Sequence, residues 1–193
     1  VCKNLEFLKY KYNTLVNNDV IIREFNMQVF SQNYKCFIIY IDGLVDTDSI
    51  NDFILKALMI SKPKYNKDAN NDIINYVDSC LLPQNSVTKV TKFEDVYSGI
   101  NMGDCLLFID TADTAFDIDV KQYNQRSIEA SNNESVIKGP QEAFVENLRT
   151  NTSLIRRIVN NENLIIENIP VGHLSKTKCG ICYMQNIANS DLV

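Results

Sequence analysis

The strongest constraint on the fold is an internal repeat, in which residues 17–50 align with residues 160–193 without a gap. Nine of the 34 aligned positions are identical, and several others are conservative, such as Thr47 with Ser190. Matching patterns at one offset predict the same strand–loop–strand–helix-start unit twice. A chance match caused by the abundance of Asn and Ile is the alternative. The identical residues are Asn17, Asn18, Ile22, Glu24, Lys35, Cys36, Ile38, Tyr40 and Asp48, which align with Asn160, Asn161, Ile165, Glu167, Lys178, Cys179, Ile181, Tyr183 and Asp191.

The two copies differ in their continuation. The first copy continues into a predicted helix that runs to about Met59, whereas the second copy stops at Val193. A sheet that lacks its covering helix leaves apolar surface to be buried elsewhere. We therefore expect this chain to be part of a longer protein.

Composition narrows the functional classes. The net charge of −5 argues against a surface that neutralises phosphates, so we expect no nucleic-acid partner. No apolar run approaches the ~20 residues that a membrane-spanning helix needs. Four of the six cysteines lie in strand-like apolar runs, where a free thiol behaves as a small hydrophobe, and this indicates a reducing compartment.

Apolar periodicity and turn residues predict alternating helices and strands. The first helix, over 3–16, has Leu5, Leu8, Tyr12 and Leu15 on one face. Further helices are predicted from Asp46 or Asp48 to Met59, from Ile73 to before Pro83, over 93–100 and, as the longest, over 140–159. The predicted strands are 19–25, 35–41, 87–90, 105–110, 114–120, 126–129, 135–138, 164–169 and 177–184, with 61–72 as a loop.

The predicted fold class is α/β with α+β character: two α/β lobes with mixed sheets, joined by a long helix. The first lobe is 1–120, the connecting strands and long helix are 121–159, and 160–193 is the start of a second lobe that is incomplete here. In the long helix, Pro140 suits the first turn. Its apolar side is formed by Phe144, Leu148, Ile155 and Val159.

Several motifs are candidates for catalytic or metal sites. Cys179 and Cys182 have C-x-x-C spacing, but they lie in a predicted strand, which favours packing over redox or zinc chemistry. Asp110-Thr111-Ala112 resembles the active-site turn of aspartic proteases, which would need a retroviral-type dimer, and a hairpin turn is the simpler interpretation. A local acidic group is interpreted as a solvated hairpin face and contains Asp113, Asp117 and Asp119. We expect no enzyme, no cofactor and no bound metal.

The candidate contact residues lie on and before the long helix. Arg149 and Arg156 are seven positions apart and share a helical face, with Arg157 beside them. They could contact an acidic partner or anionic lipid, or they could be solvated charges that complement the helix dipole. Gly139 and Pro140, at the predicted helix start, could offer backbone donors to an anion, although helix initiation explains them equally well.

One long segment resembles a known family. It contains Arg126–Glu129, Val136–Glu146, Leu148–Thr152 and Leu154–Arg157, and it is similar to the signature of the A subunits of GerA-type nutrient germinant receptors. Residues 38–50 and 181–193 extend the resemblance. The chain departs from the family at Gln141 and Ala143, where Arg and Gly are usual, near Tyr123, where Trp is common, and at Thr111, where Gly is frequent.

The resemblance implies a domain that precedes a multi-span membrane region of the same chain and assembles with B and C subunits in the inner spore membrane, on the core side. It implies a regulatory or assembly role in nutrient-triggered germination. The alternative is a small-molecule domain that binds a nutrient in a cleft between the lobes. On either interpretation, the predicted partner or ligand contacts are Arg149, Asn151, Arg156, Arg157, Gly139 and Pro140.

Overall fold

A five-stranded antiparallel sheet and a separate two-stranded hairpin organise the chain. The structure is a computed structural model that describes residues 1–29, 32–60, 73–82, 86–122, 143–189 and 191–193. The large sheet has the strand order β1-β2-β4-β5-β3, and β6 pairs with β7. The strands are β1 (Val20–Val29), β2 (Gln32–Ile41), β3 (Val87–Val90), β4 (Asp104–Ile109), β5 (Ala115–Asp119), β6 (Leu164–Val171) and β7 (Thr177–Met184).

The helices lie between the strands as the sequence predicted, although two of them contain π-helical turns. They are α1 (Cys2–Lys11), α2 (Thr47–Ser49), the π-helix π1 (Ile50–Leu55), α3 (Lys56–Ile60), α4 (Ile73–Tyr76), the π-helix π2 (Val77–Leu81), α5 (Phe93–Met102) and α6 (Leu148–Ile158). The mixed α/β class is therefore confirmed. The prediction of mixed sheets is wrong, because every strand pair among the described residues is antiparallel.

Helices cover both faces of the large sheet. Neighbouring residues on β2 alternate between the two sides, because Ile38 belongs to one buried cluster and Phe37 to the other. The first cluster contains residues of π1, α3, α4 and π2, and the second contains residues of α1 and α5. All six residues of β4 are buried, since this strand lies in the middle of the sheet. The result is a three-layer α/β/α arrangement.

Both repeated segments form antiparallel hairpins. In the first, Val20 pairs with Ile41, and in the second, Leu164 pairs with Met184. The pairing register therefore differs by one residue, because the gapless alignment places Val20 with Asn163. The division into two lobes, which the repeat motivates, stays a prediction.

Two helix predictions are wrong in their extent. The helix predicted over 140–159 begins only at Leu148, and Phe144, predicted to face inward, is 68% exposed. The first helix ends at Lys11, so Leu15 lies beyond it and is 96% exposed. In both places the apolar spacing continues outside the region where the backbone stays helical. The predicted strands over 126–129 and 135–138 and the predicted loop over 61–72 lie outside the described residues.

Candidate functional site

Side chains that cap and brace α6 determine where this helix begins. The Asn147 side chain accepts a hydrogen bond from the Thr150 backbone N–H at 3.2 Å, which satisfies one of the free donors of the first turn. Asn151 folds back on the preceding segment, where its amide accepts from the Val145 N–H at 2.8 Å and donates to the Val145 carbonyl at 2.7 Å. These contacts hold the Val145 backbone outside the helix, which begins at Leu148.

A buried network attaches α6 to the large sheet. The Arg156 guanidinium is 2% exposed and donates to both carboxylate oxygens of Asp19 at 2.8 Å, in a bidentate pair. It also donates to the Asn17 side-chain oxygen at 3.0 Å. Asp19 directly precedes β1, so the network joins the end of the sheet to the last turn of the helix. We call Asn17, Asp19 and Arg156 the junction.

The same asparagine binds the hairpin. Asn17 is 1% exposed, accepts from the Ile166 N–H at 2.9 Å and donates to the Leu164 carbonyl at 3.2 Å. Asn18 adds two more bonds: its N–H donates to the Ile166 carbonyl at 2.9 Å, and its side-chain oxygen accepts from the Asn168 N–H at 2.6 Å. Two consecutive asparagines thus hold β6 against the start of β1.

A second, more exposed ion pair lies near the N-terminus of α6. Arg149 pairs with Asp42, which follows β2 and donates its backbone N–H to the Asp19 carbonyl at 2.7 Å. Burial raises the pKa of the Asp42 carboxyl group, and the Arg149 charge opposes that rise. Gly43, with φ of 93°, lets the chain turn beneath the helix, since a Cβ at this position would lie 3.3 Å from the Ser153 Cβ.

A polar cavity of about 290 Å³ lies between the segment that follows β2 and the first half of α6. This volume corresponds to roughly ten water molecules at ~30 Å³ each. Hydroxyl, amide and guanidinium groups dominate its walls, so it suits a small polar molecule better than an apolar one. The lining residues are Gly43, Val45, Thr47, Gln122, Asn147, Arg149, Thr150 and Ser153.

Tyr12 and Glu162 extend the interface toward α1. Tyr12 is fully buried and donates to the Asn101 side-chain oxygen at 3.3 Å. Burial, reinforced by the negative charge of Glu162, raises the pKa of its hydroxyl, so the residue stays neutral. Glu162 also forms a 3.1 Å ion pair with Lys11 at the end of α1. The loop between α6 and β6 is thus tied to the helical layer.

The structure separates the predicted contact residues. Arg149 is half-exposed and borders the cavity, and Arg157 is exposed. Arg156 was predicted to share an outward face with Arg149, but it is buried against Asp19, so the acidic group that it contacts belongs to its own chain. Asn151 uses its amide to hold Val145. Gly139 and Pro140 lie outside the described residues.

Sequence reasoning missed the acidic half of the interface. Asp19 and Asp42 flank the β1–β2 hairpin, and each pairs with one of the two arginines spaced seven residues apart. The signal for this interface would have been the match between two arginines on one helical face and two aspartates at the open end of a predicted hairpin. Asn17 stands out in the sequence only as an identity within the repeat.

The other motifs are accounted for by packing and turns. Cys179 and Cys182 are free thiols in β7, and no group of three metal-ligating side chains occurs within the described ranges. Asp110 and Thr111 lie in the turn between β4 and β5, as predicted. Asp117 departs from the prediction of a solvated face. It is half-buried, and its carboxylate lies 2.7 Å from where a Cβ of Gly99 would be, so α5 needs glycine there.

The fold and the junction together define a domain of helices and antiparallel strands in which internal arginine–aspartate pairs attach a helix to the sheet and two asparagines hold a separate hairpin. The chain belongs to a family described as Bacillus/Clostridium GerA spore germination protein, whose profile matches residues 6–193. No helix among the described residues has the length and apolar character needed to cross a membrane.

Named relatives agree with this membership. The chain is 31% identical over 191 residues to stage V sporulation protein AF of Bacillus subtilis, covering 99% of this chain and 37% of that protein. It is 30% identical over 178 residues to spore germination protein KA of the same organism, covering 92% of this chain and 32% of that protein. The chain thus spans about a third of the length of these curated relatives.

A solved structure has the same fold. It is the crystal structure of the N-terminal domain of the A subunit of the Bacillus megaterium spore germinant receptor GerK3, with a TM-score of 0.67 and 25% identity. The match covers 99% of this chain and 67% of that one.

Proposed function

We propose that this chain is a non-enzymatic regulatory and assembly domain of a nutrient germinant receptor A subunit, acting in spore germination. The observation that carries the proposal is the attachment of α6 to the sheet by two arginine–aspartate pairs of unequal burial, beside a hairpin that Asn17 and Asn18 hold. A docked unit with one buried and one exposed link is suited to passing a rearrangement from one part of a receptor to another.

The two links differ in the free energy needed to break them. An exposed ion pair such as Arg149–Asp42 contributes ~0–1 kcal/mol, so it can open without unfolding the protein. Removing one partner of a buried pair such as Arg156–Asp19 costs ~3–5 kcal/mol, because the other charge is left uncompensated. The N-terminal half of α6 can therefore move while the junction holds its last turn.

The partners we propose are the B and C subunits and the membrane part of the same chain. The site of action would be the inner spore membrane, with this domain on the core side. Support comes from membership of a germination-protein family and from similarity to the GerK3 A-subunit domain.

A charge swap tests the role of the exposed link. In the full receptor, Arg149→Glu should slow nutrient-triggered germination while receptor levels stay normal, and adding Asp42→Arg should restore the rate. The control, Lys3→Glu, makes the same charge change at an exposed residue of α1 and should leave the rate near wild type. If the swap restores nothing, Arg149 acts outside the Arg149–Asp42 pair and the relay role of this pair is wrong.

A second candidate function is direct nutrient binding, which is favoured by the polar cavity between α6 and the segment that follows β2. Small molecules commonly bind at such boundaries between structural units. Titrating the domain with candidate amino acids and sugars, followed by NMR, separates the two functions. Saturable shifts confined to Thr47, Gln122 and Thr150 would support binding, and a spectrum that does not change would leave the assembly role.

A further inference from the structure

One face of the β6–β7 hairpin is mostly apolar and partly open. Gly180 belongs to the inner face, because a Cβ there would lie 3.3 Å from the Leu148 side chain of α6. Successive residues of a strand point to opposite sides, so Cys179 and Ile181 face away from α6. Ile165 on that side is fully buried, whereas Ile181 is 37% exposed. We call the residues on that side the outer face; Glu167, which pairs with Ile181, is the one charged residue among Ile165, Glu167, Ile169, Cys179, Ile181 and Tyr183.

The first copy of the repeat shows what covers the same residues. Cys36, Ile38 and Tyr40 align with Cys179, Ile181 and Tyr183 and have identical side chains. Cys36 and Ile38 are 2% and 0% exposed, and Tyr40 packs against the same cluster. The helical residues of that cluster include Ile50, Ile54 and Leu58 from π1 and α3. An identical Cys-x-Ile-x-Tyr strand is thus buried beneath a helix in one copy and partly open in the other.

The start of that helix is also duplicated. In the first copy, the Asp46 side chain accepts from the Asp48 N–H at 3.1 Å and caps α2. At the aligned positions, the Asn189 side chain accepts from the Asp191 N–H at 3.0 Å. Asp and Asn are both strong N-cap residues, and this contact satisfies a free donor of a first helical turn. The chain therefore reaches Val193 in a conformation suited to starting a helix.

From these observations we infer that, in the full-length protein, the segment following Val193 forms an amphipathic helix that covers the outer face. Val193 aligns with Ile50, so apolar residues should follow at the spacing that Ile50, Ile54 and Leu58 have in the first copy. The solved GerK3 domain is longer than the region that matches this chain, which covers 67% of it. The inference does not depend on the receptor role.

Thiol labelling tests this cover. Cys179 should react with a maleimide at least about tenfold more slowly in the full-length protein than in a chain ended at Val193, because the added helix shields it. Cys2, an exposed thiol on α1, is the internal control and should react at the same rate in both. If Cys179 reacts at the same rate in both chains, the inference is wrong. The outer face then either stays open in the full-length protein or is already covered by residues within 1–193. Protection that needs other receptor subunits would also overturn the inference.

A pair of substitutions in the full-length protein gives a readout that does not depend on truncation. Ile181→Asp should lower Tm by several degrees, since it would place a charge beneath the helix. Leu174→Asp, in the β6–β7 turn at 94% exposure, is the matched control and should leave Tm nearly unchanged. If the two variants have the same Tm as the wild type, the outer face is not covered.

Discussion

Arg156 carries a full charge in the interior of the protein, and its stability there depends on how completely that charge is compensated. Asp19 supplies two carboxylate oxygens and Asn17 supplies an amide oxygen. The same Asn17 oxygen also accepts from the Ile166 N–H, so the network cannot lose one member without disturbing the hairpin. Buried ionic groups of this kind fix geometry more than they add stability.

Truncating the buried arginine should therefore be costly. Arg156→Ala leaves the Asp19 carboxylate buried and unpaired, and we expect a loss of ~3–5 kcal/mol in the free energy of unfolding. Urea denaturation measures it. Arg157→Ala, one residue along the same helix but exposed, should change this free energy by less than ~0.5 kcal/mol.

A double variant separates the charge effect from lost packing. Asp19→Asn with Arg156→Met removes both buried charges, so it should recover a large part of the stability lost in Arg156→Ala. A double variant less stable than Arg156→Ala would contradict this account of the junction.

Asp117 is a half-buried carboxyl group on β5, an interior strand of the large sheet. Burial raises the pKa of its carboxyl group to about 6, and the nearby Asp104 charge adds to the rise while Lys121 opposes it. One of its oxygens is buried without a hydrogen bond to any described residue. Between pH 4 and pH 6, the folded protein holds this proton more tightly than the unfolded chain does. The contribution of Asp117 to the free energy of unfolding is thus present at acid pH and is lost as the pH rises through about 6.

We therefore expect Asp117→Asn to flatten the dependence of stability on pH. The gain over wild type should be near zero at pH 4 and about 1 kcal/mol at pH 8, below the full electrostatic value because water reaches the group. Thermal unfolding across this range measures it. The control Asp113→Asn changes an exposed turn residue and should leave the pH dependence of stability as in wild type. If Asp117→Asn also leaves this pH dependence unchanged, the raised pKa of Asp117 is not its cause.

At the scale of elements, the strands followed the sequence more closely than the longest helix did. The continuous apolar run of β4 and the alternation of apolar residues with aspartates in β5 are both local features, so these strands could be placed from residues 105–110 and 114–120 alone. The extent of α6 could not be predicted, because it is decided by the contact of Asn151 with the Val145 backbone. The 3.6-residue period of apolar side chains carries no information about such a side-chain to backbone contact.

The turn between β4 and β5 contains a strained residue. Thr111 has φ of 72°, in the left-handed region that β-branched side chains rarely adopt. Thr111→Gly should raise the free energy of unfolding by about 1 kcal/mol, the relief of strain less the greater entropy of glycine in the unfolded chain. Thr111→Asn should also stabilise, and Thr111→Val should not. A Tm below that of wild type for Thr111→Gly would show that the threonine side chain contributes more than the strain costs.

At the scale of the molecule, the chain consists of a well-covered sheet and a lightly attached hairpin. β4 is buried along its whole length, whereas most of β7 is exposed. The sequence predicted two strand–loop–strand units, and each forms an antiparallel hairpin. It could not predict the junction, because Asn17 and Arg156 are 139 residues apart and nothing in the sequence links the two positions. Long-range polar contacts of this kind leave no periodic pattern.

Because the hairpin is attached less firmly than the strands of the large sheet, we expect the two parts to open at different free energies. Native-state hydrogen exchange should show β6 and β7 opening together at a lower free energy than β4, because fewer buried contacts hold them. Asn17→Ala removes the amide that binds Leu164, Ile166 and Arg156, so it should speed exchange in the hairpin while leaving β4 slow. The control Asn160→Ala changes the aligned asparagine of the repeat, which is exposed, and should leave both rates as in wild type. If Asn17→Ala speeds β4 and β7 by the same factor, the hairpin and the sheet unfold as one unit, and the expected difference in their opening is wrong.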